Sequence, residues 1–134
     1  MLLAVSLAIG ACGDRATPDD DTIEPYTMDD PESQLYPDVV DVEVTEESEG
    51  TYRFDVTLSS PYDTPERYAD AWRVKGADGT VYGVRELLHD HANEQPFTRS
   101  LDGVEIPGDV DEVTIEGRDL ENGWGGETMK IAVP

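Results

Sequence analysis

Two reactive residue types are nearly missing from the chain. Cys12 is its sole thiol, and His89 and His91 are its sole imidazoles among 134 residues. One cysteine excludes an intramolecular disulfide, so a folded domain here relies on core packing rather than on the staple common in small secreted domains. Positive charge is scarce too: 9 Lys and Arg stand against 31 Asp and Glu, a formal net charge of −22. Such a field repels nucleic acid and anionic headgroups, which are held through basic patches, and a nucleic-acid role is excluded on that ground. No apolar run approaches the roughly 20 residues a helix needs to cross a bilayer. The nucleophile elbow, the P-loop and the dinucleotide fingerprint are all absent from the sequence. With 31 carboxylates, no glycosidase-type acid–base pair can be singled out.

What is there begins with the distribution of the acids. Residues 13–37 hold eight acids and one base, whereas residues 38–134 hold 23 acids and eight bases. The acidity therefore belongs to a folded surface as well as to a tail. A solvated acidic exterior, suited to high salt or keeping copies apart, explains it more economically than a dedicated cation site. The length suits one domain and is too short for two independent cores.

The first twelve residues read MLLAVSLAIGAC, an apolar stretch from Leu2 to Ile9 followed by Gly10, Ala11 and Cys12. Small residues just before a cysteine let the chain lie extended in a lipoprotein signal-peptidase site. The pattern resembles the bacterial lipobox, whose cysteine receives diacylglycerol and becomes the new N-terminus. Two departures are a short apolar run and the lack of a basic residue before it; a translation start further upstream would account for both. The resemblance implies export and lipid anchoring to a membrane through Cys12, on the outside of the cell membrane, in the periplasm or at the cell surface. Residues 1–12 are accordingly assigned as a lipoprotein-type signal segment.

Residues 13–37, GDRATPDDDTIEPYTMDDPESQLYP, show neither a strand nor a helix period. High charge and little apolar content do not offset the entropy of ordering such a segment, which predicts a disordered acidic tether. Asp19-Asp20-Asp21 lacks the companion ligands of a calcium loop. Tyr36 and Pro37 are expected to pack where the tether meets the domain.

From residue 38 the character changes. Val40, Val42 and Val44 alternate with Asp41, Glu43 and Thr45, and Tyr52, Phe54, Val56 and Leu58 alternate with polar residues. Period two with branched and aromatic side chains predicts half-buried antiparallel strands. Further strands are expected at Ala71–Lys75, Thr80–Leu88, Phe97–Leu101 with a short Val104–Ile106, Val110–Glu116 and Thr128–Val133. Asp78-Gly79 marks a hairpin turn, a helical turn is expected at Pro65–Tyr68, and Gly117–Glu127 reads as a loop. About seven short strands over residues 38–134 predict an all-β domain, an immunoglobulin-like or fibronectin type III-like sandwich with Trp72 in its core, and a small closed barrel as the alternative.

Chemistry is concentrated in one stretch, Glu86-Leu-Leu-His-Asp-His-Ala-Asn-Glu-Gln-Pro-Phe97. His89 and His91 can face one way, and Glu94, Asp90 or Glu86 can add an oxygen, which is the donor set of a zinc, copper or nickel site. The competing reading is a polar loop whose imidazoles cap backbone groups or face water. A Ser100, His89, Asp90 triad has poor spacing for the orienting role. Arg99 is a lone base in an acidic stretch and suits a carboxylate, either a ligand's or a neighbour's. Trp124, among glycines, suits an exposed recognition loop for a sugar face or peptide, or packing at the sandwich edge.

The segments His89–Leu101 and Gly123–Pro134 resemble a family of small exported bacterial proteins of unassigned function. That resemblance spans about residues 38–134 and implies residence outside the cytoplasm and a β-rich fold, with no activity to transfer. The sequence thus points to a non-catalytic cell-envelope module that binds an envelope protein, peptide or glycan, or plays a structural part. A transition-metal-binding domain without an established cofactor is the alternative, and a hydrolase is a remote third.

Overall fold

The computed structural model describes residues 33–134; the signal segment, Cys12 and most of the acidic tether lie outside the described residues. Seven strands follow one another: β1 (Asp38–Ser48), β2 (Thr51–Ser59), β3 (Ala69–Lys75), β4 (Val81–Glu86), β5 (Phe97–Glu105), β6 (Glu112–Asp119) and β7 (Gly123–Ala132). They form two open antiparallel sheets, ordered β1-β2-β5 and β4-β3-β6-β7. The closed barrel expected as an alternative is not formed. The inner faces of the two sheets meet in one core, with Phe54, Val56 and Leu58 of β2 and Phe97 of β5 packed with Trp72 and Val74 of β3 and Val113 and Ile115 of β6. Ile131 and Met129 of β7 cover its flank. The alternation in β2 is complete: Tyr52, Phe54, Val56 and Leu58 are all buried and the residues between them are not. That is the signature of a strand with one wet face.

Several local expectations are corrected. In β1 the inward residues are Val39 and Val42, 4% and 7% exposed, while Val40 is 46% exposed. The register slips between Val39 and Asp41, so Val40 is the extra residue of a bulge and turns outward. The segments expected as separate strands around Phe97 and Val104 are one strand, β5, carried through Gly103 in a left-handed conformation (φ 70°). The Pro65–Tyr68 region is a tight turn closed by Thr64 and Arg67, not a helical one. The Asp78-Gly79 turn does join β3 to β4: Gly79 takes φ 90°, and the Asp78 carboxylate accepts from the Thr80 N–H at 3.0 Å.

The largest correction is at the last strand. Only residues 120–122 separate β6 from β7, so most of the expected Gly117–Glu127 loop is sheet. Its glycines are small for a reason. A Cβ at Gly117 would stand 2.7 Å from Pro37, and one at Gly125 would stand 2.7 Å from the Tyr36 ring. The slot they leave receives the segment ahead of β1. Arg67 donates to the Gln34 carbonyl at 2.6 Å, Asn122 donates to the Leu35 carbonyl at 3.1 Å, and Pro37 is fully buried. The folded unit therefore takes in residues before 38.

Pairings fix which loops share an end. Asp38 lies opposite Ser59, Leu58 opposite Phe97, Ala69 opposite Asp119, Asp119 opposite Gly123 and Ala71 opposite Glu86. The β2–β3, β4–β5 and β6–β7 connections thus gather at one end of the sandwich, together with the incoming segment 34–37. Both histidines are on the β4–β5 connection at that end.

Replacing Trp72 by Ala should cost about 3–5 kcal/mol, whereas Val40→Ala should stay within about 0.5 kcal/mol. Urea denaturation of the two variants reads both values. A large loss from Val40→Ala would mean that the bulge is misplaced.

Candidate functional site

The loop end of the sandwich buries polar groups that a core would ordinarily exclude. Ser60, Asp63, His91 and Asp119 are all buried, and buried polar groups are tolerated only when partnered. Asp119, at the end of β6, accepts from Arg67 Nε at 3.1 Å and from the Glu121 and Asn122 N–H groups at 2.9 Å, which ties the β6–β7 turn to the β2–β3 loop. Asp63 accepts from the N–H of Ala69 at 3.1 Å and from the N–H of His91 at 2.9 Å. Burial pushes the Asp63 carboxyl above its ordinary range, against the pull of those hydrogen bonds.

His91 is thereby held from both sides. Its N–H is taken by Asp63, and its carbonyl accepts from Gln95 Nε2 at 3.0 Å and from the Glu94 N–H at 3.0 Å. Gln95 is itself fixed, its Oε1 accepting from the Ser60 N–H at 2.6 Å. The His91 ring stacks on Phe97 with centroids 3.9 Å apart and planes 10° from parallel, and the His89 ring follows at 4.8 Å, tilted by 39°. Arg99 also approaches Phe97, its Cζ 5.5 Å from the ring centroid. Desolvation, with the Arg99 charge second, lowers the His91 pKa from its ordinary value.

The structure therefore brings His89 and His91, on the β4–β5 loop rather than on a strand, together with Arg99 of β5. Glu94 is close by but engaged: Arg99 donates to its two oxygens at 3.0 and 3.3 Å, which holds the carboxyl below its ordinary range. His89 Nδ1 lies 2.9 Å from the Asp90 carbonyl, so that nitrogen carries the proton and donates. Among the described residues no group of three His, Cys, Asp or Glu is arranged to hold a metal ion. Ser100 is elsewhere. Its hydroxyl donates to Asp55 and accepts from Arg53, and neither histidine is among its partners. Trp124 sits on strand β7 rather than in a loop, with the Arg73 guanidinium 3.9 Å and that of Arg118 5.1 Å from its ring centroid.

Around the histidine pair is a cleft of about 180 Å³ lined by Arg85, Glu86, Leu87, Leu88, His89, His91 and Arg99. Asp63, Gln95, Phe97 and Arg85 are neighbours of the histidine pair that the sequence reading did not assign to a site. Gln95 and Phe97 stood within the histidine stretch, but nothing in the period marked Asp63, 28 positions from His91, as its partner.

Comparison with known proteins adds one likeness. A protein of Halomicrobium mukohataei described as "Putative lipoprotein" is 39% identical over 93 residues, covering 69% of this chain. The match spans 45% of that protein, so the chain accounts for less than half of its relative's length. No family model matches the chain. No solved structure matches it.

The depressed His91 pKa has a signed consequence. A histidine held neutral in the fold binds fewer protons than its unfolded counterpart. Its contribution is complete above about pH 6.5 and is lost as pH falls from there through the folded value. The raised carboxyl of Asp63 acts oppositely, favouring the fold as pH falls through its own value. The melting midpoint of the wild type should fall between about pH 7 and 6, and His91→Phe, which keeps an aromatic ring against Phe97, should flatten that interval. Thermal melts across the range check it; an unchanged slope in the variant would contradict a buried neutral imidazole.

Proposed function

We propose that the protein is an exported, lipid-anchored, non-catalytic binding module of the cell envelope. The observation that carries this reading is the likeness to a protein described as a lipoprotein, together with Cys12 at the end of the apolar run Leu2–Ile9. A cysteine carrying diacylglycerol brings two acyl chains, and two are what stable anchoring takes. The acidic tether would then hold the sandwich off the membrane surface, with the anionic exterior repelled by anionic headgroups.

The strand partition supports a fibronectin type III-like sandwich in particular. β4 pairs with β3 on the second sheet, whereas a constant-type immunoglobulin domain keeps its fourth strand with the first sheet and joins its sheets by a cysteine pair. Sandwiches of this kind host many unrelated roles, so the fold supports a binding module without naming its ligand. The loop end with its cleft is the surface best equipped for that role, because its side chains are fixed in place before anything binds. A transition-metal site at His89, His91 and Glu94 has less support: Glu94 is committed to Arg99, and two guanidinium groups line the same cleft and repel a cation. A hydrolase has no support from the placement of Ser100.

Expression of the full chain in cells fed an alkyne-tagged fatty acid tests the anchor. The wild type should carry the tag and sediment with membranes, and Cys12→Ala should lose the tag and move to the soluble fraction. An untagged, soluble wild type, or a Cys12→Ala chain that stays tagged, would end the lipoprotein reading.

A further inference from the structure

Arginine is the resource this chain has least reason to waste. Among the described arginines, Arg53, Arg67, Arg73, Arg99 and Arg118 each hold a carboxylate at 2.6–3.2 Å. Arg85 is the exception. Among the described residues no carboxylate pairs with it, and its Nε is buried without an acceptor. In so acidic a protein, a guanidinium left unpaired by the described carboxylates stands out. A desolvated charged donor left unsatisfied is costly and asks for an explanation. A second orphan lies on the same cleft: His91, 5% exposed, has its Nδ1 buried with no partner.

We infer that this cleft binds a small organic carboxylate, its head group received by Arg85 with His91 and Arg99 beside it. The nearby carboxylates do not fill that role. Glu86 is drawn to Arg118 at 3.2 Å, Glu94 is neutralised by Arg99, and Asp90 accepts from the Ala92 N–H. A guanidinium presents a planar fork that matches a carboxylate. Leu87 and Leu88 supply an apolar flank, and Leu88 stands 82% exposed at the rim with nothing in the described structure to cover it. An acid with a short carbon chain answers both features at once. A singly charged ligand also meets less repulsion from the surrounding acids than a doubly charged phosphate does. The volume of about 180 Å³ holds a compact molecule and no more than the tip of a larger one.

This inference gives a ligand class to the binding-module reading and rests on it, but its test does not use the lipid anchor, so the two can fail separately. Butyrate is titrated into the full chain at moderate salt while the side-chain NMR signals of Arg85 Nε–H and the His91 ring are followed. Both should shift together and saturate. Arg85→Met should weaken the response at least tenfold, and Arg85→Lys, which keeps the charge but loses the fork, should fall between. Leu88→Glu, at an exposed rim position that cannot disturb the core, should also weaken binding by placing a negative charge at the mouth. An undiminished response in Arg85→Met with the Trp72 signal intact would overturn the inference. So would an unchanged response in Leu88→Glu, an equal response to phosphate, sulfate or chloride, or no saturable shift at all.

Discussion

The constraint on which the rest of the domain depends is the apolar seam between its two sheets. Phe54 and Leu58 from one side and Trp72, Val74 and Ile115 from the other are all buried there. With no second cysteine to cross-link the chain, the cohesion of that seam is what offsets the entropy of ordering it. Everything at the loop end is attached to strands whose positions the seam has already decided. β2 delivers Ser60 and Asp63, β4 delivers Arg85, and β5 begins with Phe97, whose ring is both core residue and platform for His91.

Polar groups at that end do the work that apolar packing cannot do in a loop. Apolar contact fixes a distance only loosely, whereas a buried carboxylate must find donors in definite directions. Asp63 and Asp119 each satisfy that demand with backbone N–H groups from neighbouring turns. The result is a set of connections tied to one another by hydrogen bonds between loops. The incoming segment at Gln34–Pro37 is drawn into the same arrangement through Arg67 and Asn122.

The strong acidity sets the electrostatic background for all of this. Where acids so outnumber bases, a cation is readily captured, and the pairs of Arg73 with Glu116 and of Arg118 with Asp70 show the usual outcome. Both pairs are half-buried, and pairing of this kind decides where positive charge remains uncommitted. Among the described arginines, Arg85 in the cleft beside the histidines is the one left so.

Sequence by itself determined the class of fold, because alternation such as that of Tyr52–Leu58 can bury one face only as a strand, and because Asp78-Gly79 supplies the φ > 0 that a tight hairpin needs. It also marked Trp72 as core and the His89–His91 stretch as the place to look. Three things were decided by tertiary structure alone. The outward turn of Val40 comes from a bulge, which depends on how β1 registers against β2 and leaves no mark on β1's own pattern. The pairing of the glycine-rich start of β7 depends on Tyr36 and Pro37 filling the space that side chains would have taken. The clamp of Asp63 on His91, and the isolation of Arg85 from the acids around it, arise from residues far apart in the chain that approach only when the two sheets close. Period and propensity act over a few neighbouring residues; a hydrogen bond between distant loops, or the lack of one, is settled only by the packing that brings those loops together.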